Sequence, residues 1–334
     1  MSAEDDIAVQ LLAPEEASLL IGLIRRCYGN TYIDPSFYDE TVAGELLRSG
    51  KLHSIGAFTG AGQLVGHMGI TPRPHGGITA DAGMTLVDPA FRGRGIARSV
   101  AVGLAQQSIA LGLVGVHDYP VTVHAATQRI GAGFGVDTGL MLANMSGDVV
   151  FQEMEMPSPG ARTSSLIRWL PFGLAPERSV YLPERYREQI EALYAEALLS
   201  RTLLQSDEAV GDREPELERA YDERRRILRI AVAHGGGDVA AKIGAEIRDA
   251  AKHGCLITHV DLLLADPATP AASEALREQG FSFAGLLPEY RDGDVLRMQW
   301  LADSVDDDSF SILSTEATRA IESFVLNDRA SSRG

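Results

Sequence analysis

Hydrophobic and polar residues follow two different periods in the first half of the chain. A period of two predicts β-strands, and these lie at residues 7–12, 53–58, 64–70, 79–87, 114–117, 136–144 and 149–156. A period near 3.6 predicts helices, and these lie at residues 14–28, 35–50, 95–112 and 123–132. Prolines and glycines mark most of the helix ends. This order predicts a mixed α/β (α+β) sheet flanked by helices rather than a doubly wound dinucleotide-binding domain.

Residues 157–180 have little periodicity and are rich in Pro, Gly and Ser, which predicts a linker or long crossing segment. Beyond a helix that starts near Pro183, the highly charged stretch 213–226 is interpreted as a solvated helix or arm, and its run Arg224–Arg226 as a salt-linked helix face. Strand, helix, strand, helix, Gly-Phe, strand and strand then follow over residues 227–301, in the same order as over residues 82–145. We therefore predict a domain at 1–156, a linker at 157–180, a second domain at 181–302 and a tail or helix at 303–334.

Composition and charge narrow the function classes. The 334 residues are 45% hydrophobic and 23% charged, as in a globular protein, and the net charge of −16 argues against general nucleic-acid binding. The two cysteines, Cys27 and Cys255, are far apart and lack metal-ligand spacing, so we expect reduced core residues and no metal. We also expect no membrane contact and a cytoplasmic location, since the chain shows neither a secretory signal nor an apolar run long enough to span a bilayer.

The loop Arg92–Gly93–Arg94–Gly95 lies between a predicted strand and a predicted helix. Backbone N–H groups at a helix start lack intrahelical acceptors, and the positive end of the helix dipole lies there. The two glycines allow close approach of the backbone to a phosphate, while Arg92, Arg94 and Arg98 add positive charge to an acidic protein. The stretch therefore predicts a site for an anionic group.

Arg92, Gly95 and Ala97 resemble the acyl-CoA signature of the GNAT acyltransferase family, which is Arg or Gln, two residues, Gly, one residue, then Gly or Ala. The preceding strand and the later Gly133–Phe134 also lie where that family places them, so the resemblance covers residues 7–156. It implies that the amides of residues 92–97 hold the pyrophosphate of acetyl-CoA or another acyl-CoA, and that the strand edge 84–87 pairs with the pantetheine arm. The implied cofactor-binding residues are Met84, Thr85, Leu86, Val87, Arg92, Gly93, Arg94, Gly95, Ile96, Ala97 and Arg129.

Arg129 stands where many members of this family have a tyrosine acid, and this is a departure from the pattern. An arginine could stabilise a thiolate by its charge but could not donate a proton at neutral pH. It could equally be a surface residue or bind the nucleotide phosphates. The second half resembles a degenerate copy in a tandem-GNAT arrangement, because its corresponding loop, residues 234–238, has glycines but no arginine, and ends in Asp238.

Acyl transfer to an amine needs a deprotonated nucleophile, a site for the oxyanion and a proton for the thiolate. The candidate bases are His124 and His117, which have a suitable unperturbed pKa, and then Asp81. Tyr119, which lies between the two histidines, is an alternative proton donor, and loss of the amine proton to water is a base-free route. Tyr290 and Glu289 could line an interdomain cleft, although a turn role suffices for them.

The expected function is a CoA-dependent N-acyltransferase with acetyl as the expected acyl group. The acceptor would be an amine on a small molecule or a protein, and a homodimer is possible. Two alternatives remain open. The first is a non-catalytic acyl-CoA-binding or regulatory protein. The second is another acyl-CoA reaction, such as decarboxylation or O-acylation.

Overall fold

The computed structural model describes residues 6–73, 77–152, 161–206, 214–305 and 311–333. Within these ranges the strands are β1 (Ile7–Leu11), β2 (His53–Thr59), β3 (Leu64–Pro72), β4 (Thr79–Val87), β5 (Gly115–Asp118), β6 (Val136–Met145), β7 (Thr163–Pro171), β8 (Arg178–Tyr181), β9 (Arg201–Leu204), β10 (Glu216–Asp222), β11 (Ile227–His234), β12 (Ile257–Leu263), β13 (Ser282–Arg291) and β14 (Gly293–Leu301). The α-helices are α1 (Ala17–Tyr28), α2 (Glu40–Arg48), α3 (Ile96–Ala110), α4 (Ala126–Gly131), α5 (Arg187–Glu196), α6 (Val239–Lys252), α7 (Thr269–Arg277) and α8 (Glu316–Ser332).

Twelve of these strands form one sheet, in the order β1-β2-β3-β4-β5-β7-β6-β13-β14-β12-β11-β10. The pairs β4–β5 and β11–β12 are parallel and the other pairs in this sheet are antiparallel. Strands β8 and β9 form a separate two-stranded sheet. The predicted fold class, a mixed and mostly antiparallel sheet flanked by helices, is confirmed.

Helices cover both faces of the first half of the sheet. Strand β2 shows why, because neighbouring residues point to opposite sides: Ile55 and Ala57 pack with the apolar side of α3, and Phe58 packs with that of α1. Helix α3 contributes Ile96, Val100 and Leu104 to the first of these clusters. The predicted first-half helices, and the predicted strands as far as residue 144, are confirmed to within a few residues at their ends.

The linker prediction is wrong over Thr163–Pro171, which forms strand β7 between β5 and β6. Seven of its nine residues are buried, including Ser164, Ser165 and Arg168. A strand that is buried on both faces shows no alternation of apolar and polar residues. Such a strand is usually recognised as a continuous apolar run, and here polar residues interrupt that run. The strand predicted at 149–156 is also wrong where it can be compared: residues 149–152 lie outside any strand, and 153–156 lie outside the described residues.

The charged stretch after residue 213 is neither a helix nor an arm. Glu216–Asp222 is strand β10 at the edge of the sheet, and the arginine run that follows it is in the turn to β11. An edge strand keeps one side open to water and tolerates charged side chains, so its composition imitates that of a solvated helix.

The second half has the predicted order of elements, and the first half shows the same order once β7 takes the place of the strand predicted at 149–156. Elements β11, α6, β12, α7, β13 and β14 follow one another as β4, α3, β5, α4, β6 and β7 do, and each series contains one parallel pair. In both series the last strand lies between the second and the third. The two series meet at β6 and β13, where the paired residues are Gly139 and Gly285.

This junction depends on the absence of side chains, because a Cβ atom at Gly139 would overlap the Ala284 carbonyl oxygen and the Gly285 Cα. We expect Gly139→Ala to lower the free energy of unfolding by about 1–3 kcal/mol, the usual cost of overpacking a core. Urea denaturation followed by circular dichroism measures this. The control is Gly83→Ala, a strand glycine whose Cβ would meet no atom within 4 Å. Equal stability of the two variants would contradict the prediction.

Candidate active site

Strands β4 and β5 pair over only four residues and then separate. The pairing runs from Thr79 and Gly115 to Ala82 and Asp118, while β4 continues to Val87. Beyond Asp118 the chain turns at Pro120, whose carbonyl accepts a hydrogen bond from Leu166 of β7. Among the residues that the structure describes, no strand pairs with the β5 side of β4 from Gly83 onward. A cavity of about 680 Å³ occupies the gap.

A β-bulge shapes the wall of this cavity. On β4, Met84 and Thr85 have no partner in the register with β3, and Met84 has a positive φ of 54°. His67 of β3 lies behind the bulge, with Nδ1 2.9 Å from the Met84 carbonyl oxygen and Nε2 2.7 Å from the Ser54 hydroxyl. Burial lowers the pKa of His67 to about 4, so the ring is neutral at pH 7. A neutral ring satisfies both contacts when Nδ1 donates to Met84 and Nε2 accepts from Ser54. The bulge is thus held in one conformation.

The loop after β4 is built as an anion site. Asp88 accepts from the Ala90 amide and pairs with Arg26, which fixes the short 3-10 turn Pro89–Phe91. Gly93 and Gly95 then have left-handed φ angles of 79° and 78°, and α3 starts at Ile96. Successive amides in such a loop, at a helix N-terminus, point toward a bound anion.

Nine of the predicted cofactor-binding residues line the cavity, namely Met84, Thr85, Leu86, Val87, Arg92, Gly93, Gly95, Ile96 and Ala97. The structure does not bring the other two to it. The Arg94 guanidinium lies 4.8 Å from the centre of the Phe91 ring, and Arg129 is exposed on the short helix α4. Both are absent from the residues that line the cavity.

The two histidines predicted as bases differ in position. His124 lines the cavity, packs edge-on against Phe151 with ring centroids 5.3 Å apart, and has a buried Nδ1 without a hydrogen-bond partner among the described residues. Burial lowers its pKa, so the ring is neutral at pH 7. His117 is fully buried and does not reach the cavity. Burial and the nearby Arg73 and Arg297 hold the pKa of His117 well below its ordinary value.

Tyr119 also lines the cavity, and its hydroxyl donates to Asp81 at 2.8 Å. Arg73 donates to both oxygens of Asp81, at 2.7 Å to Oδ1 and 3.2 Å to Oδ2. Asp81 is therefore in an ion pair rather than free to act as a base. Burial, together with Asp81, raises the pKa of Tyr119 well above its ordinary value, which makes it a weak acid.

Sequence reasoning missed Asp118, the residue that directly follows the strand predicted at 114–117. It lines the cavity, and its register partner Ala82 comes two residues before the bulge at Met84. Burial raises the pKa of Asp118 to about 6, although the nearby Arg168 opposes this shift. A polar residue at the end of a buried strand, where a parallel sheet opens, was the available signal.

The second half of the chain supplies part of the cavity wall through Arg225, Arg229, Tyr290 and Arg297. Tyr290 had been weighed as a cleft residue, whereas Arg225 belongs to the run interpreted as a helix face. The signal for Arg229 and Arg297 was a single arginine inside a mostly apolar strand, at Ile227–His234 and Gly293–Leu301. A charged side chain inside a buried strand is costly unless an opposite charge or a bound ligand compensates it.

The two cysteines also bear on the chemistry. Cys27 lines the cavity and Cys255 is buried; both are free thiols, and burial raises the pKa of Cys27 to about 11. No group of three or more metal-binding side chains occurs among the residues the structure describes. Nor does any helix in the described ranges have the length and apolar character needed to cross a membrane.

The loop after β11, at residues 234–238, contacts an acid from the segment after β12. The Gly235 amide donates to Asp266 at 2.6 Å, and Asp266 also accepts from the Ala268 amide. A carboxylate therefore occupies one backbone amide of this loop.

Residues 19–118 match the family model described as Acetyltransferase (GNAT) family. No curated protein sequence matches the chain significantly. Similar solved structures include yncA of Salmonella typhimurium with its cofactor acetyl-CoA, at 12% identity and a TM-score of 0.41, covering 51% of this chain and 96% of that one. Another is the ribosomal-protein-S18-alanine N-acetyltransferase of Escherichia coli, at 12% identity and a TM-score of 0.40, covering 51% and 97%. A spermidine N-acetyltransferase SpeG chimera from Vibrio cholerae and hSSAT has 13% identity and a TM-score of 0.39, covering 50% and 95%.

Strands β2 to β5, the bulge and the glycine loop all lie within the matched segment. Residues 19–118 of this chain are an acetyltransferase domain of the GNAT family.

Proposed function

We propose that the chain is a CoA-dependent N-acyltransferase that transfers an acyl group, acetyl in the first instance, to an amine. The observation that carries this proposal is the cavity, which joins the glycine loop, the open edge of β4 and Asp118 in one space. The amides of residues 92–97 would hold the pyrophosphate of acyl-CoA. The unpaired edge at residues 84–87 would accept the pantetheine arm as an added strand.

Direct transfer suits these residues better than a covalent acyl-enzyme. Cys27 is the thiol that lines the cavity, but its raised pKa keeps it protonated at neutral pH, and the thiol form is a poor nucleophile. The amine would instead attack the thioester carbonyl, and the developing oxyanion would be stabilised by backbone N–H groups at the Met84 bulge.

Asp118 is the base that we propose takes the proton from the attacking amine. It lies beside the bulge, and a pKa of about 6 leaves it ionised at neutral pH yet more basic than an ordinary carboxylate. Once protonated, it is a stronger acid than Tyr119 and can return the proton to the departing thiolate, whose conjugate acid has a pKa of roughly 8.5. His124, which is neutral and lines the same cavity, is the second candidate base.

The second half is proposed to be a degenerate GNAT copy in a tandem arrangement, serving as part of the substrate cleft. The repeated element order supports the common origin of the two halves. The carboxylate of Asp266 at the Gly235 amide supports the loss of the second phosphate site.

A non-catalytic acyl-CoA-binding role is the second candidate function. One observation favours it: the position where the family has a tyrosine acid holds Arg129, which is exposed and outside the cavity lining. Release of free thiol with any amine excludes this role.

Calorimetric titration with acetyl-CoA tests the binding site. We expect wild type to bind and Gly95→Trp to lose about 100-fold in affinity or more, because the indole would cover the amides and remove two or more charge-assisted hydrogen bonds. The matched control is Gly112→Trp, since Gly112 has a similar positive φ and equally open surroundings but lies outside the cavity lining. Absence of binding by wild type would refute the proposal.

The pH dependence tests the base. Because burial raises the pKa of Asp118 to about 6, the base is lost as the pH falls through that value, and kcat/KM should fall with it. Asp118→Asn should lower kcat by about 100-fold or more and abolish this acidic limb, while a limb due to the acceptor's own amine remains in both proteins. His124→Gln should keep the limb near pH 6. A limb that persists in Asp118→Asn and disappears in His124→Gln would assign the base to His124.

A further inference from the structure

Arginines gather at the wall of the cavity that the second half provides, although the protein as a whole has a net charge of −16. Arg225 is in the turn between β10 and β11, Arg229 follows on β11, and Arg297 lies on β14. Arg297 is neutralised, since both oxygens of Asp261 accept from it at 2.7 and 2.8 Å. The other two arginines are not neutralised in this way.

Arg225 and Arg229 share one carboxylate. Asp222 lies 3.7 Å from an Nη1 atom of each, which is longer than a hydrogen bond. The Nε atom of Arg225 is buried and has no hydrogen-bond partner within the described ranges. The pair with Asp222 therefore has one excess positive charge and an unused buried donor, and both are features that a bound anion would satisfy.

Positive charge is concentrated around Arg225 and Arg229. Arg162 donates to the Arg225 carbonyl oxygen at 2.8 Å, so a further guanidinium lies behind the turn. Burial lowers the pKa of Arg229, and the charges of Arg225 and Arg297 lower it further. His259 nearby is buried and its pKa is held well below its ordinary value by burial and by these arginines, so it is neutral. The charges are held together by the fold and repel one another.

Strand β6 of the first half offers a hydrogen-bond acceptor to the same cavity. Asn144 is buried and lines the cavity, and its Oδ1 has no partner among the described residues, while its Nδ2 donates to Ser165 at 3.4 Å. Arg162 connects this residue to the arginine turn, because its Nε donates to the carbonyl oxygen of the neighbouring Ala143. A cationic pair next to a free carbonyl oxygen suits a molecule that has both an anionic group and an N–H donor.

Resting on the proposed acyltransferase function, we propose that Arg225 and Arg229 bind an anionic group of the acceptor, so that the substrate is an amine carrying a carboxylate or a phosphate. The charge pair would fix one end of the acceptor and direct its amine toward Asp118. The chemistry shared by the two anions is bidentate binding by guanidinium groups.

The test is acetyl-CoA thiol release with amines in matched pairs. β-Alanine is compared with β-alaninamide, glycylglycine with its amide, and phosphoethanolamine with ethanolamine. We expect the anionic member of at least one pair to have a kcat/KM about tenfold or more above its neutral partner, the gain from one charge-assisted contact. The carboxylate and phosphate pairs show which anion is recognised. Preference for the neutral members would overturn the inference and leave the acyltransferase function intact.

Arg225→Gln, Arg229→Gln and the double variant should raise KM for the anionic amine and reduce the preference toward unity. Their affinity for acetyl-CoA by calorimetry should stay within about twofold of wild type. The matched control is Arg224→Gln, which removes the same charge from an exposed neighbour outside the cavity lining and should keep the preference. Weakened acetyl-CoA binding in the Arg225 and Arg229 variants would overturn the inference by assigning these residues to the cofactor. An equal loss of preference in Arg224→Gln would also overturn it. The preference would then depend on the overall positive charge of this region and not on contact with Arg225 and Arg229.

Absence of thiol release with every amine would instead contradict the proposed function. In that case the acetyl-CoA complex is titrated with β-alanine and phosphoethanolamine by calorimetry. Binding that is lost in the double variant supports the anion site on its own, and absence of binding overturns it. Thermal unfolding of each variant, compared with wild type, confirms that the proteins being compared are folded.

Discussion

The short parallel pairing of β4 with β5 is the constraint on which the site depends. Four residue pairs hold the strands together, and Pro120 then turns the chain toward β7, so β4 extends alone beside a gap. The bulge at Met84 lies on this free edge, and the glycine loop begins at Arg92, five residues after β4 ends at Val87. A longer β5 would pair with residues 83–87 and fill the space that acyl-CoA would need. The opening is therefore set by the length of β5 and not by any single side chain that lines it.

The second half is packed against the closed end of this opening. Arg73 lies over the Tyr290 ring at 3.5 Å, and Thr79 donates to the Glu289 carbonyl oxygen at 2.8 Å, so β13 is tied to the start of β4. Because the two series of strands also share one sheet through Gly139 and Gly285, movement of the second half would displace the arginine wall relative to Asp118. If the second half is a degenerate copy, as we propose, it would still help to determine what the remaining site accepts. That contribution would be a physical reason for the copy to be retained.

The part of the site that sequence could predict is the part made from one continuous segment. Residues 84–97 form strand, turn, loop and helix start in order, and each step has a local cause, such as the proline after Asp88 or the two glycines. The parts that were predicted wrongly depend on residues far away in the sequence. Thr163–Pro171 is a strand because β5 and β6 lie on either side of it, and Arg225 faces the cavity because β10 and β11 form a hairpin at the far edge of the sheet. Neither arrangement leaves a periodic pattern in its own sequence.

The electrostatic arrangement connects these elements. Around the proposed reacting centre, burial acts on each titratable group in the direction that favours its neutral form: it raises the pKa of Asp118 to about 6 and that of Cys27 to about 11, and it lowers that of His124. An anion bound near Arg225 would cancel the excess positive charge on that wall. The charges that act on Asp118 itself are those of Arg168, which lowers its pKa, and Asp137, which raises it. The anionic end of the acceptor and its reacting amine would therefore be governed by two separate groups of charges.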